Sequence, residues 1–509
     1  MLHPVNRIIK VFARDNVDYT TFGLSLFVTL AIAFFILYDA ETARITIAKS
    51  YDYIVGIFGP AYLILAILSF FFLIYLCIST HGSYRLGGAT QTPEFSYGSW
   101  IGMLFCSGIG GGLVYWSGVE WAYYVDIPPF GIEPGSDESF ALATAYGLFH
   151  WGVSAWAIYG IPAVALSISF YKYNLNTLRL SSSLRGLGFK NIEDTLLGRS
   201  IDLIFVISTV GAAGGTIGSY LPMLSSGFSE IFNIEKSFIL NLQVLFICVG
   251  LYGFSVYSGL KKGIKRLSNI NIILAAVFLL IILLTGPASN ILENSIEGLA
   301  YTFEYFWSMS TLGISEQSDF ADAWTIFYWA WWVAFGPLVA LFIARISKGR
   351  TLRELILGML VFGSMGTWLF YLIFGGYSMS LEQSGSFAVM DSLREVGHAE
   401  TAIAVVRNMP FNEVMLILFC IITLIFVTTS YDSMSFVIAY HVQKNTSEHK
   451  DPDKELRLFW AIVLGLLPAA LIVYSDHSVA TDLILLTSLP LLFIYPFMAL
   501  AIYKDLNKK

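Results

Sequence analysis

Tryptophan and tyrosine residues are concentrated in two short stretches of this sequence, at a spacing that could bind a cation. The stretch "HWGVSAWAIY", residues 150–159, places Trp151, Trp156 and Tyr159 within an arc of about 140° of one helix. The stretch "WTIFYWAWWVAF", residues 324–335, contains Trp324, Trp329, Trp331, Trp332 and Phe335. A quaternary ammonium group has no hydrogen-bond donor, so aromatic faces hold it by cation–π attraction and shape. The two stretches therefore predict an aromatic box for such a cation.

The ordinary alternative is that these tryptophans lie at membrane–water interfaces, where the residue is common. That alternative explains Trp324, at the beginning of its apolar run. It does not explain Trp151, Trp156 or Trp332, which have mostly apolar residues on both sides or lie beside a helix-interrupting pair. These three residues are therefore candidates for binding rather than for anchoring.

The composition indicates what kind of protein must position these rings. Of 509 residues, 56% are hydrophobic and 13% are charged, whereas a soluble domain has about 25% charged residues. The four cysteines lie inside apolar runs, so neither a disulfide framework nor a metal site is indicated. A net charge of −7 argues against nucleic acid as a partner. The sequence predicts an all-α polytopic protein embedded in a lipid bilayer.

Twelve apolar runs are long enough to cross a hydrocarbon core of about 30 Å. They lie near residues 20–38, 54–78, 99–118, 140–171, 200–226, 237–259, 268–286, 323–344, 355–377, 411–441, 458–475 and 480–503. Every basic cluster precedes the first run or follows an even-numbered one, whereas the odd loops hold acids such as Glu120 and Glu138. By the positive-inside rule, both termini are expected in the cytoplasm.

Two of the runs contain helix-breaking residues. "SGIGGGLVYW", residues 107–116, has four glycines in the third run, and Gly336–Pro337 interrupts the eighth. Close helix packing is the alternative explanation for the glycines. Interruptions at corresponding positions of two halves are typical of inverted-repeat transporters, which bind substrate and ions at the broken helices. Helices 3–7 and 8–12 are therefore predicted to form two five-helix repeats.

The remaining segments complete the predicted organisation. Residues 288–309 alternate glutamates with apolar residues at helical spacing, which indicates an amphipathic helix at the outer interface or, alternatively, a moving gate. The expected order is an amino-terminal arm (1–19), two additional helices (20–98), the first repeat (99–286), the amphipathic helix and its connection (287–322), the second repeat (323–503) and a short cytoplasmic tail (504–509).

The segment "WTIFYWAWWVAFGPLVALFIARISKGRTLRE", residues 324–354, resembles the signature of the betaine/carnitine/choline transporter family, and the glycine stretch and "HWGVSAWAIY" are similar to that family's third and fourth helices. The resemblance implies a fold of the leucine-transporter type, often a homotrimer, in a bacterial inner membrane. It also implies uptake of an osmolyte-like quaternary ammonium or sulfonium compound, such as glycine betaine, choline, carnitine or dimethylsulfoniopropionate.

The resemblance also assigns substrate-binding residues. It places the box at Trp151, Trp156, Tyr159 and Trp332, with Trp329 and Trp331 on the same aromatic path. Phe335 departs from the family, which often has tryptophan there. The backbone of Gly108, Gly110 and Gly112 would approach a substrate carboxylate.

Sodium is the coupling ion that the resemblance implies, and no other cofactor is expected. Its ligands would be the carbonyl groups of Cys106, Ile109 and Phe426 and the hydroxyl groups of Thr429 and Ser430, an oxygen-only set that suits a hard cation. Asp432, close by, either takes part or stabilises the local helix. Thr209 matches a second sodium site whose partner position is Ala213 here. Proton coupling and sodium-independent exchange are the alternatives.

Two other classes of protein fit the sequence poorly. A membrane enzyme would show a motif such as HExxH or GxSxG, and the sequence has neither. An ion channel, the remote alternative, favours short pore loops and repeated segments over an enclosed aromatic box.

Overall fold

The computed structural model describes residues 17–107, 110–175, 178–258, 261–443, 452–474 and 478–508. For residues 257–258 and 261–266 it describes the backbone alone. Within these ranges all regular structure is helical, and two isolated β-bridges join Val17 to Gln443 and Arg85 to Thr351. The chain is therefore an all-α protein, as the composition predicts.

The helices of the first half are α1 (Tyr19–Tyr38), α2 (Ala40–Ile78), α3 (Tyr97–Ser107), α4 (Gly111–Trp116), α5 (Glu120–Asp126), α6 (Asp137–His150), α7 (Val153–Lys172), α8 (Leu196–Phe232), α9 (Phe238–Ser258), α10 (Lys261–Thr285) and α11 (Ala288–Thr311). Those of the second half are α12 (Ile326–Ile346), α13 (Leu352–Leu357), α14 (Ser364–Phe370), α15 (Gly376–Gln383), α16 (Val389–Val396), α17 (His398–Arg407), α18 (Asn412–His441), α19 (Lys454–Val463), α20 (Leu466–Leu471), α21 (Ser478–Leu492) and α22 (Tyr495–Asn507). Short π-helical turns precede α12 and join α13 to α14 and α14 to α15.

Ten helices in the described ranges are long and apolar enough to cross a membrane. They correspond to ten of the twelve predicted runs. The other two predicted runs are divided into shorter helices: the third into α3 and α4, and the eleventh into α19 and α20. The polytopic class is thus confirmed, and the count of twelve spans stays a prediction.

The third span is broken where the glycines predicted a break. Helix α3 ends at Ser107, α4 begins at Gly111, and Gly110 between them is fully extended, with φ −144° and ψ −179°. Helix α3 packs on the π-helical turn of the ninth span, whereas α4 packs on α8 and α18. Both pieces also contact α14 of the ninth span, so their neighbours differ only in part.

The eighth span is not broken, so the predicted interruption at Gly336–Pro337 was wrong. Helix α12 continues through both residues. Pro337 has no N–H to donate to the carbonyl of Val333 four residues earlier. The hydroxyl of Tyr495 donates to that carbonyl instead, at 3.2 Å. A neighbouring helix therefore satisfies the bond that the proline removes.

The fourth span bends where the sequence predicted a continuous run. Helix α6 ends at His150 and α7 begins at Val153, with Trp151 and Gly152 between them. Donors from the ninth span take two of the carbonyls in the bend: Thr367 Oγ1 donates to Trp151 O at 2.5 Å, and Trp368 Nε1 donates to Leu148 O at 2.8 Å. These tertiary hydrogen bonds stabilise a bend that no local sequence motif predicted.

The loops form two groups, as the alternating charges predicted. Loops after even-numbered runs contact one another or the termini through Val17–Gln443, Arg85–Gly349, Arg179–Gln443, Lys172–Asp505 and Lys508–Gly186. Loops after odd-numbered runs contact one another through Arg394–Asp126, Lys236–Glu400 and Arg407–Glu230. Which of these two faces is cytoplasmic stays a prediction.

The amphipathic segment is a helix, α11, and it is not among the ten candidate spans. It packs on α6 and α15. Its Gly298 lies against Thr144 of α6. Its exposed side carries both glutamates and large apolar residues, including Phe303 and Trp307. Such a mixed surface suits a membrane interface.

Candidate functional site

Two predicted box residues of the fourth span, Trp151 and Tyr159, both contact Trp332 of the eighth span. The ring centroids of Trp151 and Trp332 are 5.2 Å apart at an interplanar angle of 90°. Those of Tyr159 and Trp332 are 4.9 Å apart at 72°. All three side chains are buried. The arrangement presents several electron-rich faces at one place, which is what a desolvated cation requires.

The other predicted aromatic residues divide into two groups. Trp156 lies beside Tyr159, with ring centroids 5.7 Å apart. Trp331 lies 5.9 Å from Trp151 and 6.4 Å from the half-buried Phe335. The two tryptophans lie next to the rings of Trp151 and Tyr159.

Trp329 is placed elsewhere. Its ring packs against Phe149, with centroids 5.2 Å apart, and against His150, at 5.8 Å. It also lines a small apolar cavity with Ser154 and Phe306. The structure therefore separates Trp329 from the rings of Trp151 and Trp332.

The helix break lies directly against the box. A Cβ atom on Gly112 would lie 3.1 Å from Trp331 Cη2 and 3.2 Å from Trp151 Cη2, and closer still to the hydroxyl of Tyr220. Only glycine lets α4 approach these rings. Gly110 has no atom within 4 Å of the place where a Cβ would be, and its carbonyl accepts from Leu113 N at 3.1 Å. Gly108 and Ile109 lie outside the described residues.

A fully buried carboxylate, Glu120, lies behind the box. Tyr124 donates to its Oε1 at 2.5 Å, and Tyr328 donates to its Oε2 at 2.5 Å. Tyr371 and Trp151 Nε1 also donate to Oε2, the latter at 3.3 Å. One side chain therefore joins helix α5 to the fourth, eighth and ninth spans. The sequence had placed Glu120 in an outer loop, and the structure corrects this.

His150 continues the same network. Its Nδ1 lies 3.0 Å from Tyr124 Oη, and its Nε2 lies 3.0 Å from Thr325 Oγ1. Its carbonyl, freed by the bend in the fourth span, accepts from Trp332 Nε1 at 2.9 Å. The indole of Trp332 is thus fixed by the bend itself.

Of the predicted sodium ligands in the described residues, Phe426 lies at the break. Phe426 lies next to the beginning of α4, since its Cβ is 4.0 Å from where a Cβ on Gly111 would be. Thr429 and Ser430 follow it on α18 and are half-buried, and half-buried Cys106 is near the end of α3. Thr429 Oγ1 donates to Ile425 O at 2.9 Å, the back-bonding common in helices.

The neighbouring acid has a partner that the sequence did not suggest. Asp432 accepts from Arg457 of α19 at 3.5 Å, and both side chains are buried. Arg457 also lies over the ring of Phe436. Of the two readings of Asp432, the pair gives a concrete basis to the structural one.

The residues of the predicted second sodium site offer few free oxygen ligands for a cation. Thr209 Oγ1 donates to Phe205 O at 2.8 Å. At the partner position, Ala213 has no hydroxyl, and its carbonyl accepts from Tyr431.

Sequence reasoning missed Glu120, Tyr328, Tyr371 and Tyr220. A signal existed for Glu120, because an ionisable residue two positions after an apolar run can lie at membrane depth. The tyrosines had none, since each is one of 28 in the chain.

Comparison with known proteins adds independent information. A family model described as "BCCT, betaine/carnitine/choline family transporter" matches residues 20–509. The chain is 31% identical to the carnitine transporter of Acinetobacter baumannii over 471 residues, which cover 92% of this chain and 84% of that one. It is 31% identical to the glycine betaine transporter OpuD of Bacillus subtilis over 494 residues, covering 96% of this chain and 94% of that one. It is also 31% identical to the high-affinity choline transport protein of Escherichia coli over 494 residues, covering 96% and 72%.

These matches span nearly the whole chain and include the broken third span and the aromatic eighth span. The relatives are bacterial transporters and not enzymes. The chain therefore belongs to the betaine/carnitine/choline transporter family and is a multi-pass transporter of a bacterial inner membrane.

Proposed function

We propose that this protein imports a quaternary ammonium or sulfonium compound by sodium symport and alternating access. The observation that carries the proposal is the meeting of Trp151, Tyr159 and Trp332 beside the broken third span. Glycine betaine, carnitine and choline, named for the relatives, all carry a trimethylammonium group that these rings suit.

The packing of the helices supports an inverted repeat. The first span of each half packs on the second span of the other: α3 on the ninth span, and α12 on α7. The third span of each half packs on the fifth span of the other: α8 on α21, and α18 on α10. Such reciprocal pairs are expected when two five-helix units are related by a two-fold axis in the membrane plane.

Sodium coupling rests on the oxygen groups near the break. Phe426, Thr429 and Ser430 belong to one stretch of α18, and Phe426 lies next to the beginning of α4. Oxygen ligands suit sodium as a hard cation. With Ala213 at the second site, one sodium ion per cycle is the expected stoichiometry.

Proton coupling is the second candidate. The observation that favours it is the buried pair Glu120 and His150, whose Oε1 and Nδ1 are 4.0 Å apart with Tyr124 hydrogen-bonded to both. Either group could hold a proton beside the substrate site.

The test is uptake of labelled glycine betaine, choline, carnitine and dimethylsulfoniopropionate into proteoliposomes. We expect an inward sodium gradient to drive accumulation of at least one of them. Accumulation that follows only a proton gradient, or only internal substrate, would replace sodium symport with one of its alternatives. No uptake of any onium compound under these gradients would exclude the proposed function.

The aromatic site is tested by Trp332→Leu. Removing this ring takes away roughly 1–2 kcal/mol of cation–π stabilisation at a desolvated site, so substrate affinity should fall at least several-fold. The matched control is Trp307→Leu on α11, a helix that carries none of the box residues, where the tryptophan is 58% exposed. Equal affinity in the two variants would contradict the assignment of the box.

A homotrimer with both termini in the cytoplasm is also proposed, from the family and the alternating charges. Light scattering of the detergent-solubilised protein measures the first property. Protease protection of tagged termini in oriented vesicles measures the second.

A further inference from the structure

We propose that Glu120 is the anionic counter-charge of the cation site, and that its charge sets the preference of the site for an onium group over an uncharged group of the same shape. The proposal rests on the proposed function and names the feature of its substrate that the protein reads. Glu120 is a specificity-determining residue that acts through the field of its carboxylate and does not touch the substrate.

The hydrogen bonds favour the ionised form of the carboxylate. Its two oxygens face four donors, the hydroxyls of Tyr124, Tyr328 and Tyr371 and the indole N–H of Trp151. An ionised carboxylate is an acceptor only, and hydrogen bonds to the charged form favour it. Four donors on two oxygens match the anion better than the neutral acid, which would have to donate a proton of its own.

The charge has no full cationic partner in the described part of the chain. The one basic side chain close to it is His150, whose Nδ1 is 4.0 Å from Oε1. Arginine and lysine form ion pairs elsewhere, such as the pair of Arg457 with Asp432. A buried anion without a compensating cation is costly. A cationic substrate in the box supplies that missing compensation.

The indole of Trp151 connects the carboxylate of Glu120 to the other rings of the box. Trp151 donates its N–H to Glu120 and places its ring perpendicular to that of Trp332. Tyr328 donates to the same oxygen and stacks on Trp331, with centroids 6.1 Å apart at 18°. Glu120 is 0% exposed, so solvent screens its field weakly. The anion therefore acts on whatever the rings surround.

A second reading is that Glu120 only positions Trp151 and Tyr328. The two readings differ in one measurable respect. Positioning affects every ligand that the rings hold, whereas charge affects only a charged ligand.

The experiment compares choline with 3,3-dimethyl-1-butanol, which has the same shape but a carbon in place of the cationic nitrogen. Binding of both is measured by tryptophan fluorescence at pH 8 in the full-length wild type and in Glu120→Gln. We expect choline affinity to fall by about tenfold and the affinity for the alcohol to stay within twofold. An equal fall for both ligands, or no fall for choline, overturns the proposal.

Two further variants complete the design. Glu120→Asp keeps the charge, so its choline-to-alcohol ratio should stay near that of the wild type even if both affinities change. Glu138→Gln removes an exposed carboxylate of the odd-loop face and should leave both affinities unchanged.

Should Glu120→Gln fail to fold, Tyr371→Phe provides the test. It removes one donor and keeps the carboxylate, which then protonates more readily. The choline-to-alcohol ratio should therefore fall more between pH 8 and pH 6 than in the wild type. The groups facing the carboxylate, Tyr124, Tyr328 and His150, are unchanged in this variant. A ratio with the wild-type pH dependence contradicts the proposal.

The two proposals fail in different ways. If the wild type binds no onium compound, the proposed function is wrong. If the wild type binds choline and the choline-to-alcohol affinity ratio does not change in Glu120→Gln, only the proposed role of Glu120 is wrong.

Discussion

Gly112 shows how a single residue shapes the site at the scale of one side chain. Its missing Cβ leaves room for Trp331, Trp151 and Tyr220 to converge. The sequence predicted that the glycines matter, because four of them in one span are costly for a helix. It did not predict which glycine faces the rings, since that depends on the neighbours of α4.

Gly112→Ala should therefore weaken substrate binding. The added methyl overlaps two indole edges and a hydroxyl, and overpacking of this kind costs about 1–3 kcal/mol. The control is Gly102→Ala on α3, where a Cβ meets nothing within 4 Å. Binding measured by tryptophan fluorescence should fall in the first variant and stay unchanged in the second. Similar losses in both would show that the glycines act through helix propensity alone.

Ser430→Ala should raise the sodium concentration that half-saturates uptake, because it removes a hydroxyl from the proposed ion site. Thr209→Ala is the comparison. The hydroxyl of Thr209 already bonds its own helix, so we expect its loss to leave sodium dependence unchanged. A change of this sodium concentration in Thr209→Ala alone would assign the ion to the second site instead.

The proximity of Trp151, Tyr159 and Trp332 was largely predictable, whereas the hydrogen bonds that support these rings were not. Trp151, Tyr159 and Trp332 were found because large aromatic residues inside apolar runs are conspicuous. Glu120 was missed because the third run was taken to end before it. Its four donors lie up to 251 residues away from it in the chain, a proximity that no local pattern encodes.

At the scale of elements, the interruptions of the spans follow tertiary contacts as much as sequence. Gly110 lets the third span break, as predicted. Pro337 does not break α12, because Tyr495 donates to the carbonyl that the proline leaves free. The fourth span bends at Gly152, where donors of the ninth span satisfy the carbonyls. Helix existence was thus predictable from apolar length, whereas helix continuity depended on donors from other helices.

A double-mutant cycle tests the bond to α12. Tyr495→Phe should lower the free energy of unfolding in detergent by roughly 1–3 kcal/mol, since it leaves Val333 O buried without a partner. In the background of Pro337→Ala, a new N–H at residue 337 can reach that carbonyl. The cost of Tyr495→Phe should then be smaller.

The control for this cycle is Tyr503→Phe, on the same helix but 48% exposed. It should change the free energy of unfolding little in either background. An equal cost of Tyr495→Phe with and without Pro337 would show that its hydroxyl does not replace the missing bond.

At the scale of the whole molecule, the two pieces of the third span share α14 of the ninth span and differ in their other neighbours. Helix α3 packs on the ninth span, and α4 packs on α8 and α18. Cys106 is half-buried near the end of α3, whereas Cys77, Cys248 and Cys420 are buried. The chain thus has a natural reporter for the separation of α3 from α18.

Sodium and substrate together should slow the modification of Cys106 by N-ethylmaleimide several-fold. Ion binding between Cys106 and Ser430 would draw the end of α3 towards α18 and bury the thiol. Mass spectrometry of the labelled peptide measures the rate, and Cys106→Ala gives the background. A rate that neither ligand changes would place the closing motion elsewhere.

The ion pairs of the two faces differ in one further respect. On the odd-loop face, Arg394 and Asp126 are 53% and 43% exposed, and Lys236 and Glu400 are 45% and 31% exposed. On the even-loop face, Asp505 is 2% exposed beneath Lys172. The Debye length shrinks from about 8 Å at 0.15 M salt to about 3 Å at 1 M. Salt therefore screens the exposed ion pairs of the odd-loop face more strongly than the buried carboxylate of Asp505 on the even-loop face.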